Sequence, residues 1–251
     1  MKFFIFPILI LFISEFSYSQ DKEILYKIDI KRKFSDVALK KFKKRKDKEK
    51  AKQEIQAYQN PKNEFYSLKL NNNKIKLDYV LALDNDDKKT HIEVKNYPLG
   101  KQSFRIKDDT LIYYKFEFYK DSYHSVDTLV RDKWIETQKD STLLGYNVNQ
   151  IKLETEIGTY RAWYTKQLPK GLGIGSLSSS KGFIIAYEFS YKPTSFLDSH
   201  VITVYPYKQK KLKRNKKFDF RIPDKIYNQD QIKEIFRKRN EVLNQPTEIE
   251  N

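Results

Sequence analysis

Apolar and polar residues alternate along most of the chain, and this period of two is typical of half-buried β-strands. The first run places Ile24, Tyr26, Ile28 and Ile30 on one face. Further runs are EFYSLKL, KIKLDYVLALD, HIEV, SFRIK, TLIYYKFEFY, KWIET, LGYNVNQIKLE, GTYRAWYT, GFIIAYEFSY, VITVYPY and FDFRI. Short polar turns and no helical crossovers separate them. The pattern predicts a mainly β protein with a single antiparallel sheet, strongly curved or partly closed as a barrel.

Residues 35–58 depart from this alternation and predict a basic helical insertion between the first two strands. The segment contains no Gly or Pro and opens with Ser35, a residue type that caps helices. Its centre, KKRKDKEK, has no apolar residue to bury, so we expect the insertion to dock only through its ends. The docking residues are expected to be Leu39, Phe42, Ile55 and Tyr58.

A second helix is predicted near the C-terminus, with Asp230 as its cap. Its apolar residues at helical spacing are Ile232, Ile235, Phe236, Val242 and Leu243. We expect this helix to pack on the sheet or to cover one of its edges.

The N-terminus has the three-part pattern of a secretory signal peptide. Lys2 precedes an apolar run, and Ser17 and Ser19 occupy the −3 and −1 positions of a cleavage site before Gln20. The apolar run is too short to span a bilayer comfortably. We therefore expect export through a cleavable signal, a periplasmic or secreted location, and no transmembrane segment in the mature chain.

This reading divides the chain into three parts. Residues 1–19 are the predicted signal peptide, residues 20–243 a single β-rich domain, and residues 244–251 a disordered tail. Because the chain has no Cys, the domain must be stable without disulfides.

The formal net charge of +16 raises the question of an anionic partner. Nucleic acid is not expected, because 40 of the 49 basic residues are Lys, whereas forked recognition of phosphates and bases relies on Arg. For an exported protein the available counter-charges are anionic lipid and lipopolysaccharide. The candidate residues for such a surface are Lys43, Lys44, Arg45, Lys46, Lys210, Lys211, Lys213 and Arg214. The alternative is that both basic segments are solvated loops.

No residue pattern predicts a catalytic, metal or cofactor site. His91, His124 and His200 lack metal-ligand spacing and read as surface or cross-strand residues. Gly173-x-Gly175 lacks the third glycine and the following helix of a dinucleotide-binding loop. Two acidic clusters read as hairpin turns with side-chain caps rather than as calcium loops. They consist of Asp84, Asp86 and Asp87, and of Asp108 and Asp109.

The block from Asp132 to Gly171 resembles the central block of the GLPGLI family of secreted Bacteroidetes proteins. That family has a tryptophan-led strand, a Gly-Tyr strand, an Ala-Trp-Tyr-Thr strand and then a proline loop with glycine. The matching residues here are Trp134, Gly145, Tyr146, Ala162, Trp163, Tyr164, Thr165, Leu168, Pro169 and Gly171. The resemblance is sharp over about forty residues and loose over the rest of the mature chain.

The signature that names the family is degenerate in this chain. It is represented by GSLSSSKGFI, in which Leu177, Gly182, Phe183 and Ile184 are the remnants. The resemblance therefore implies a divergent member or a close neighbour of a family that has no settled biochemical activity. We expect Trp163 to pack on a sheet face with Tyr146 across from it, and the glycine loop to be a sharp return or the lip of a binding face.

Three functions remain open on these observations. The first is a non-enzymatic exported binding protein that holds a lipid, a lipoprotein or an extended peptide on the concave face of its sheet, with a hydrophobic ligand or an envelope protein as partner. The second is an envelope scaffold attached to anionic surfaces through the basic segments. The third is a hydrolase whose site has no recognisable sequence pattern. The first is preferred because a strongly curved sheet must either fill its concave side or leave a ligand space.

Overall fold

The computed structural model describes residues 21–44, 47–59, 61–80, 101–118, 121–130, 133–212, 225–228, 230–232, 234–235 and 237–238. The predicted signal peptide, the predicted strands HIEV and FDFRI, and the predicted C-terminal tail lie outside these residues.

Eleven strands form one antiparallel sheet in the described part of the chain. Their bounds are β1 (Lys22–Phe34), β2 (Glu64–Leu70), β3 (Lys74–Val80), β4 (Gln102–Ile106), β5 (Leu111–Phe118), β6 (Asp121–Thr128), β7 (Ile135–Leu143), β8 (Tyr146–Glu154), β9 (Gly158–Thr165), β10 (Phe183–Tyr191) and β11 (Leu197–Lys211). The order across the sheet is β6-β5-β4-β3-β2-β1-β11-β10-β9-β8-β7. The predicted mainly β architecture is confirmed, and the sheet is open because β6 and β7 form its two edges.

The sheet is strongly curved, as contacts between distant strands show. Tyr114 of β5 and Tyr160 of β9 line one cavity although their strands are seven steps apart in the sheet. In a flat sheet that separation would be about 34 Å, at roughly 4.8 Å per strand. Lys22 of β1 also donates to the hydroxyl of Tyr146 on β8 at 3.1 Å, across four steps. The strands β2–β6 and β7–β10 are therefore two wings that face each other across a concave side.

The inward positions of the central strands build the core. Ile24, Tyr26, Ile28 and Ile30 of β1 are all buried, as their alternation predicts. Tyr66, Leu68, Ile75 and Leu77 continue the same face across β2 and β3.

Hairpin turns keep these faces in register. Between β4 and β5, Asp108 has a φ of 66° and Leu111 N donates to Asp109 Oδ1 at 3.1 Å, which is the predicted side-chain-capped turn.

The basic insertion consists of two helices, α1 (Asp36–Lys43) and α2 (Lys48–Gln59), where the sequence predicts one. Ser35 caps α1 as expected, since its Oγ accepts from Ala38 N at 3.2 Å. A second cap begins α2, because Asp47 Oδ1 accepts from Lys50 N at 2.9 Å. This cap favours a new helix start within the charged centre, which has no apolar residue to keep one helix packed.

Aromatic rings hold the insertion on the end of the sheet. Phe34, the last residue of β1, lies 5.1 Å from each of the rings of Phe42, Tyr58 and Phe196. Of the four docking residues expected, Phe42 and Tyr58 make these ring contacts, while Leu39 and Ile55 are half-buried. The insertion therefore docks through its two ends, as the sequence indicates.

The C-terminal residues cover part of the β6 edge. Tyr227 N donates to His124 O at 2.8 Å, and the described residues between 230 and 238 are helical. Their cap is Asn228, whose Oδ1 accepts from Gln231 N at 2.8 Å, so the prediction of Asp230 as the cap is wrong by two residues. Asn228 can fill this role because its amide oxygen reaches the orphan N–H groups of the first turn. Phe236, Val242 and Leu243 lie outside the described residues.

Candidate functional site

The loop between β9 and β10, residues 166–182, enters the concave side of the sheet. It occupies the place that β11 leaves free, because the ladder between β10 and β11 covers only residues 187–190 of β10. Ile174 N donates to Ile184 O at 3.1 Å, and Ile184 N donates to Leu172 O at 3.3 Å. The loop's buried apolar residues are Leu168, Leu172, Ile174 and Leu177. The loop is thus part of the inner layer of the domain.

This loop is folded around one buried guanidinium, that of Arg105 on β4, which is 1% exposed. Arg105 Nη1 donates to the carbonyl oxygens of Leu177 at 2.7 Å, Gly173 at 3.1 Å and Gly175 at 3.2 Å, and Nη2 donates to Gly171 O at 3.0 Å. A buried cation needs such bonds, because its desolvation is otherwise uncompensated. Arg105 therefore organises the loop from the opposite wing.

The glycines of the loop are required by this arrangement. Gly171 and Gly175 have φ of 81° and 62°, in the left-handed region that side chains disfavour. At Gly173 a Cβ would lie 2.8 Å from Leu177 O and 3.0 Å from Ile184 Cβ. The loop carbonyls converge on a cation, whereas a phosphate cradle presents N–H groups. The glycines therefore allow the loop to pack closely around Arg105.

Beside the loop, the concave side retains a cavity of about 190 Å³, here called the tyrosine cavity. Its aromatic walls come from both wings and are Tyr114 of β5, Tyr160 of β9, and Tyr187, Phe189 and Tyr191 of β10. Ile202 of β11 and residues 176–177 of the loop complete the lining. The curvature of the sheet creates this space, because the loop fills only part of the concave side.

The rings of the cavity support one another. Phe189 lies 4.1 Å from Tyr160 and 4.5 Å from Tyr191, between ring centroids. Tyr160 also meets Tyr187 at 6.0 Å and Trp134 at 6.3 Å, both in edge-to-face geometry. Such pairs stabilise beyond the burial of their area, so the walls are preorganised. Trp134 lies behind Tyr160 and can report on it.

The phenol groups of the cavity remain neutral at ordinary pH. Burial raises the pKa of Tyr187 well above its usual value, and neighbouring tyrosines add to the effect. Burial likewise raises the pKa of Tyr114, Tyr160 and Tyr191. At Tyr114 the next cause is the carboxylate of Asp127. Neutral phenols can both donate and accept hydrogen bonds.

His200 lies behind one wall of the cavity. Its ring stacks on Tyr191 at 4.4 Å with 8° between the planes, and Arg32 Nε donates to its Nε2 at 3.3 Å. Burial, followed by the charge of Arg32, lowers the pKa of His200 to about 4. The guanidinium of Arg32 also lies 4.5 Å from the ring centre of Tyr58, which links this wall to the helical insertion.

The residues that matched the GLPGLI block in the sequence build the frame rather than the cavity. Trp134 Nε1 donates to Ser178 O at 2.8 Å, and Tyr164 OH donates to Glu136 Oε1 at 3.1 Å. Gly145 has a φ of 82° in the two-residue turn between β7 and β8, and at Gly182 a Cβ would collide with the carbonyl of Thr165. Of the remaining matched positions, Ala162 and Thr165 are buried on β9, and Leu168, Pro169 and Gly171 lie in the loop.

Trp163 and Tyr146 are not opposite each other, so that prediction is wrong. Trp163 pairs with Gln150 on β8 and with Ala186 on β10. The β8–β9 register would place the partner of Tyr146 two residues past the end of β9 at Thr165. Tyr146 instead faces inward and meets Lys22 of β1.

The two groups of basic candidates lie at opposite ends of β1. Lys43 and Lys44 are at the end of α1, which follows the last residue of β1, whereas Lys211 pairs with its first residue. Thirteen residues separate these ends, or about 43 Å at roughly 3.3 Å per residue. Lys210 is exposed beside Lys211, and Arg45, Lys46, Lys213 and Arg214 lie outside the described residues. The described candidates thus form two separate basic regions.

The histidines and carboxylates do not gather into a metal site in the described part of the chain. No three His, Cys, Asp or Glu side chains lie close enough together there to hold an ion. His124 is opposite Lys115 across β5 and β6, which lowers its pKa after the effect of burial. His91, Asp84, Asp86 and Asp87 lie outside this part.

Within the described part of the chain, no helix has the length and apolar character needed to cross a membrane.

Comparisons with known proteins address the fold. No family model and no curated protein matches the sequence. A solved structure of PNGF-II in space group P21 is similar with a TM-score of 0.52 and 16% identity, over 88% of this chain and 34% of that chain. The structure of PNGF-II in space group C2 has a TM-score of 0.46 and 16% identity, over 79% of this chain and 29% of that chain. The chain thus spans about a third of the length of PNGF-II, and the likeness in the P21 form supports the β fold alone.

Sequence reasoning did not identify the cavity residues as a site. Their alternation does indicate a shared face, since Tyr187, Phe189 and Tyr191 stand at every second position of β10. It does not indicate that Tyr114, from a strand seven steps away, completes the same wall. Arg105 was missed as well, because alternation in SFRIK places the apolar Phe104 and Ile106 on one face and Arg105 on the other, whereas the structure buries Arg105 opposite Ile75.

Proposed function

We propose that this protein is an exported, non-enzymatic binding protein of the bacterial envelope, and that its tyrosine cavity holds a compact group of an extended ligand. The supporting observation is the cavity itself: an aromatic space between the two wings, beside a loop that fills the rest of the concave side. Preorganised aromatic walls with a few polar groups are typical of binding sites. Export and the envelope location rest on the N-terminal sequence pattern.

The size of the cavity narrows the choice of ligand. Drug-sized ligands occupy pockets of roughly 300–1,000 Å³, whereas a cavity of roughly 150 Å³ binds benzene. A space of about 190 Å³ therefore suits one ring or one compact head group. A whole acyl chain does not fit, which disfavours a lipid held by its tail. An extended peptide that inserts one side chain is the ligand favoured by this geometry.

Fluorescence of Trp134 tests the proposal. The chain has two tryptophans, so a Trp163→Phe background leaves Trp134 as the single reporter beside Tyr160. The probes imitate three kinds of side chain. They are p-cresol for tyrosine, n-butylamine for lysine and 2-methyl-2-propanol for a branched aliphatic side chain. We expect a saturable change with at least one of them.

A matched pair of variants on β11 controls for the site. Ile202→Phe fills the cavity from its lining, whereas Thr203→Phe places the same ring on the opposite face of the strand. The response should disappear in Ile202→Phe and persist in Thr203→Phe. No saturable response to any probe, or an equal response in both variants, would remove the support for a ligand site here.

A further inference from the structure

The tyrosine cavity presents aromatic rings on several sides. Phe189 lies at 76° to Tyr191, and Tyr160 lies at 64° to Tyr187, so neighbouring rings turn their faces in different directions. The face of an aromatic ring carries partial negative charge and attracts a cation within roughly 6 Å of its centre. A compact group in the cavity is thus placed among five rings with varied orientations.

One carboxylate, that of Asp127, lies on β6, the strand that pairs with the strand of Tyr114. Asp127 stands two residues beyond Ser125, which is the cross-strand partner of Tyr114. Its charge raises the pKa of Tyr114, after the larger effect of burial. The strand beside Tyr114 therefore supplies a carboxylate to this part of a chain whose net charge is +16.

The neighbouring basic groups are turned to other partners. The Arg105 guanidinium donates to four loop carbonyls. His200 has a pKa of about 4 and is therefore neutral near pH 7. Arg32 donates to Nε2 of His200, and its guanidinium lies over the ring of Tyr58. Each of these cations already has hydrogen-bonding or ring partners, which offset part of its repulsion of a bound cation.

We propose that the tyrosine cavity takes a compact organic ammonium group, such as the amine or methylated amine of a side chain on an extended peptide. The inference rests on the proposed function, namely that the cavity is a ligand site. Aromatic cages recognise quaternary ammonium groups by cation–π attraction, and here the phenol and Ser176 oxygens can also accept hydrogen bonds from a primary amine.

The test compares choline with its neutral isostere 3,3-dimethyl-1-butanol, at fixed ionic strength, by NMR chemical-shift titration of the full chain. The two probes have the same shape, so the charge is the variable. We expect choline to bind roughly tenfold more tightly, the ratio that a moderately desolvated cation–π site supplies. Equal binding, or tighter binding of the alcohol, would overturn the ammonium assignment.

Three variants separate the ring from the hydroxyl and the charge. Tyr160→Phe keeps the ring and should keep the preference for choline, whereas Tyr160→Leu should lower it severalfold. Asp127→Asn removes the charge but keeps an oxygen that can accept from Thr128 N, a bond of 2.8 Å in the wild type. It should weaken the binding of choline without weakening the binding of the alcohol. An unchanged choline preference in both Tyr160→Leu and Asp127→Asn would contradict the proposal.

Failure of the ammonium assignment and failure of the proposed function give different results. If p-cresol binds and choline does not, the cavity remains a ligand site and the ammonium class is wrong. If neither choline nor any of the three side-chain analogues binds, the proposed function fails as well. If choline binds, a trimethyllysine peptide and a short-chain phosphocholine identify the carrier of the ammonium group. Tighter binding of the peptide is expected, and tighter binding of the phosphocholine would overturn the peptide assignment.

Discussion

The two halves of the concave side solve the same geometric problem in opposite ways. In one half, the loop 166–182 fills the space and wraps four carbonyls around Arg105. In the other half, five aromatic rings line a space of about 190 Å³ that the chain leaves unfilled. Both halves lie between the same two wings, so the curvature of the sheet does not by itself determine which half is filled.

The difference separates stability from function. The filled half contains a buried charge whose partners are backbone groups, and removing either side leaves polar groups unsatisfied. The open half is held by ring contacts and contains neutral phenols. Substitutions in the filled half should therefore cost folding free energy, and conservative substitutions in the open half should mainly affect binding.

Replacing Arg105 should have the largest effect. Arg105→Ala leaves the carbonyls of Gly173, Gly175 and Leu177 without this donor, while Gly171 O keeps the Ser178 hydroxyl. Because each unsatisfied buried carbonyl costs roughly 1–3 kcal/mol, the free energy of unfolding should fall by roughly 3–5 kcal/mol, measured by urea denaturation. Arg105→Lys retains the charge but not the fork, so an intermediate loss is expected. A loss below about 1 kcal/mol for the alanine variant would show that the loop does not depend on this cation.

Gly173→Ala should have the next largest effect, because the added methyl meets Leu177 O and Ile184 Cβ in a packed environment. Overpacking of this kind costs roughly 1–3 kcal/mol. The measurement is again the urea midpoint at constant slope. Ser176→Ala, in the same loop but at the cavity lining, is the control and should cost less than Gly173→Ala.

Acid should weaken the wall of the open half. The pKa of His200 is about 4 in the folded protein against 6.5 ordinarily, so the folded state binds fewer protons between these values. Its contribution to stability is therefore fully present above about pH 6.5 and is lost as the pH falls towards 4. Because His200 is partly exposed, solvent screening makes this loss smaller than the pKa difference alone implies.

His200→Phe keeps a ring to stack on Tyr191 but cannot titrate. Its unfolding free energy should change less than that of the wild type between pH 6.5 and 4, as followed by thermal unfolding across that range. Identical pH profiles for the two proteins would show that the Arg32–His200 contact does not depend on the protonation of the imidazole.

Tyr160→Phe should have the smallest effect on folding. The ring contacts with Phe189 and Trp134 are retained, and the hydroxyl lost belongs to the cavity lining. We expect a change of about 0.5 kcal/mol or less in the free energy of unfolding. A loss as large as that of Gly173→Ala would remove the distinction between the two halves.

The sequence predicted the sheet well because alternation reports directly on which face of a strand is buried. The four inward residues of β1 and the cap at Ser35 are examples of local patterns with local consequences. β6 was missed because its inward positions include Ser125, which is small and polar although it is 3% exposed. The split between α1 and α2 was missed because Asp47 was read as part of a charge run.

The candidate site was less predictable because it depends on contacts between distant strands. The sequence did not assign the glycine loop to phosphate binding, and it gave no sign of the loop's partner, because Arg105 lies 66 residues before Gly171. The cavity requires Tyr114 and Tyr160 to face each other, which follows from the curvature and the strand order rather than from any local motif. Alternation alone specifies a face and leaves its partner open.

The most direct test of the central claim is native mass spectrometry of the protein and of its Ile202→Phe variant, each purified from the producing cells without added ligand. The account predicts a stoichiometric small extra mass on the wild type, or its appearance on addition of an ammonium-bearing peptide, and no such mass on the variant. The same extra mass on both proteins, or no extra mass on either protein as purified, with the ammonium-bearing peptide or with p-cresol, would contradict a binding site in the tyrosine cavity.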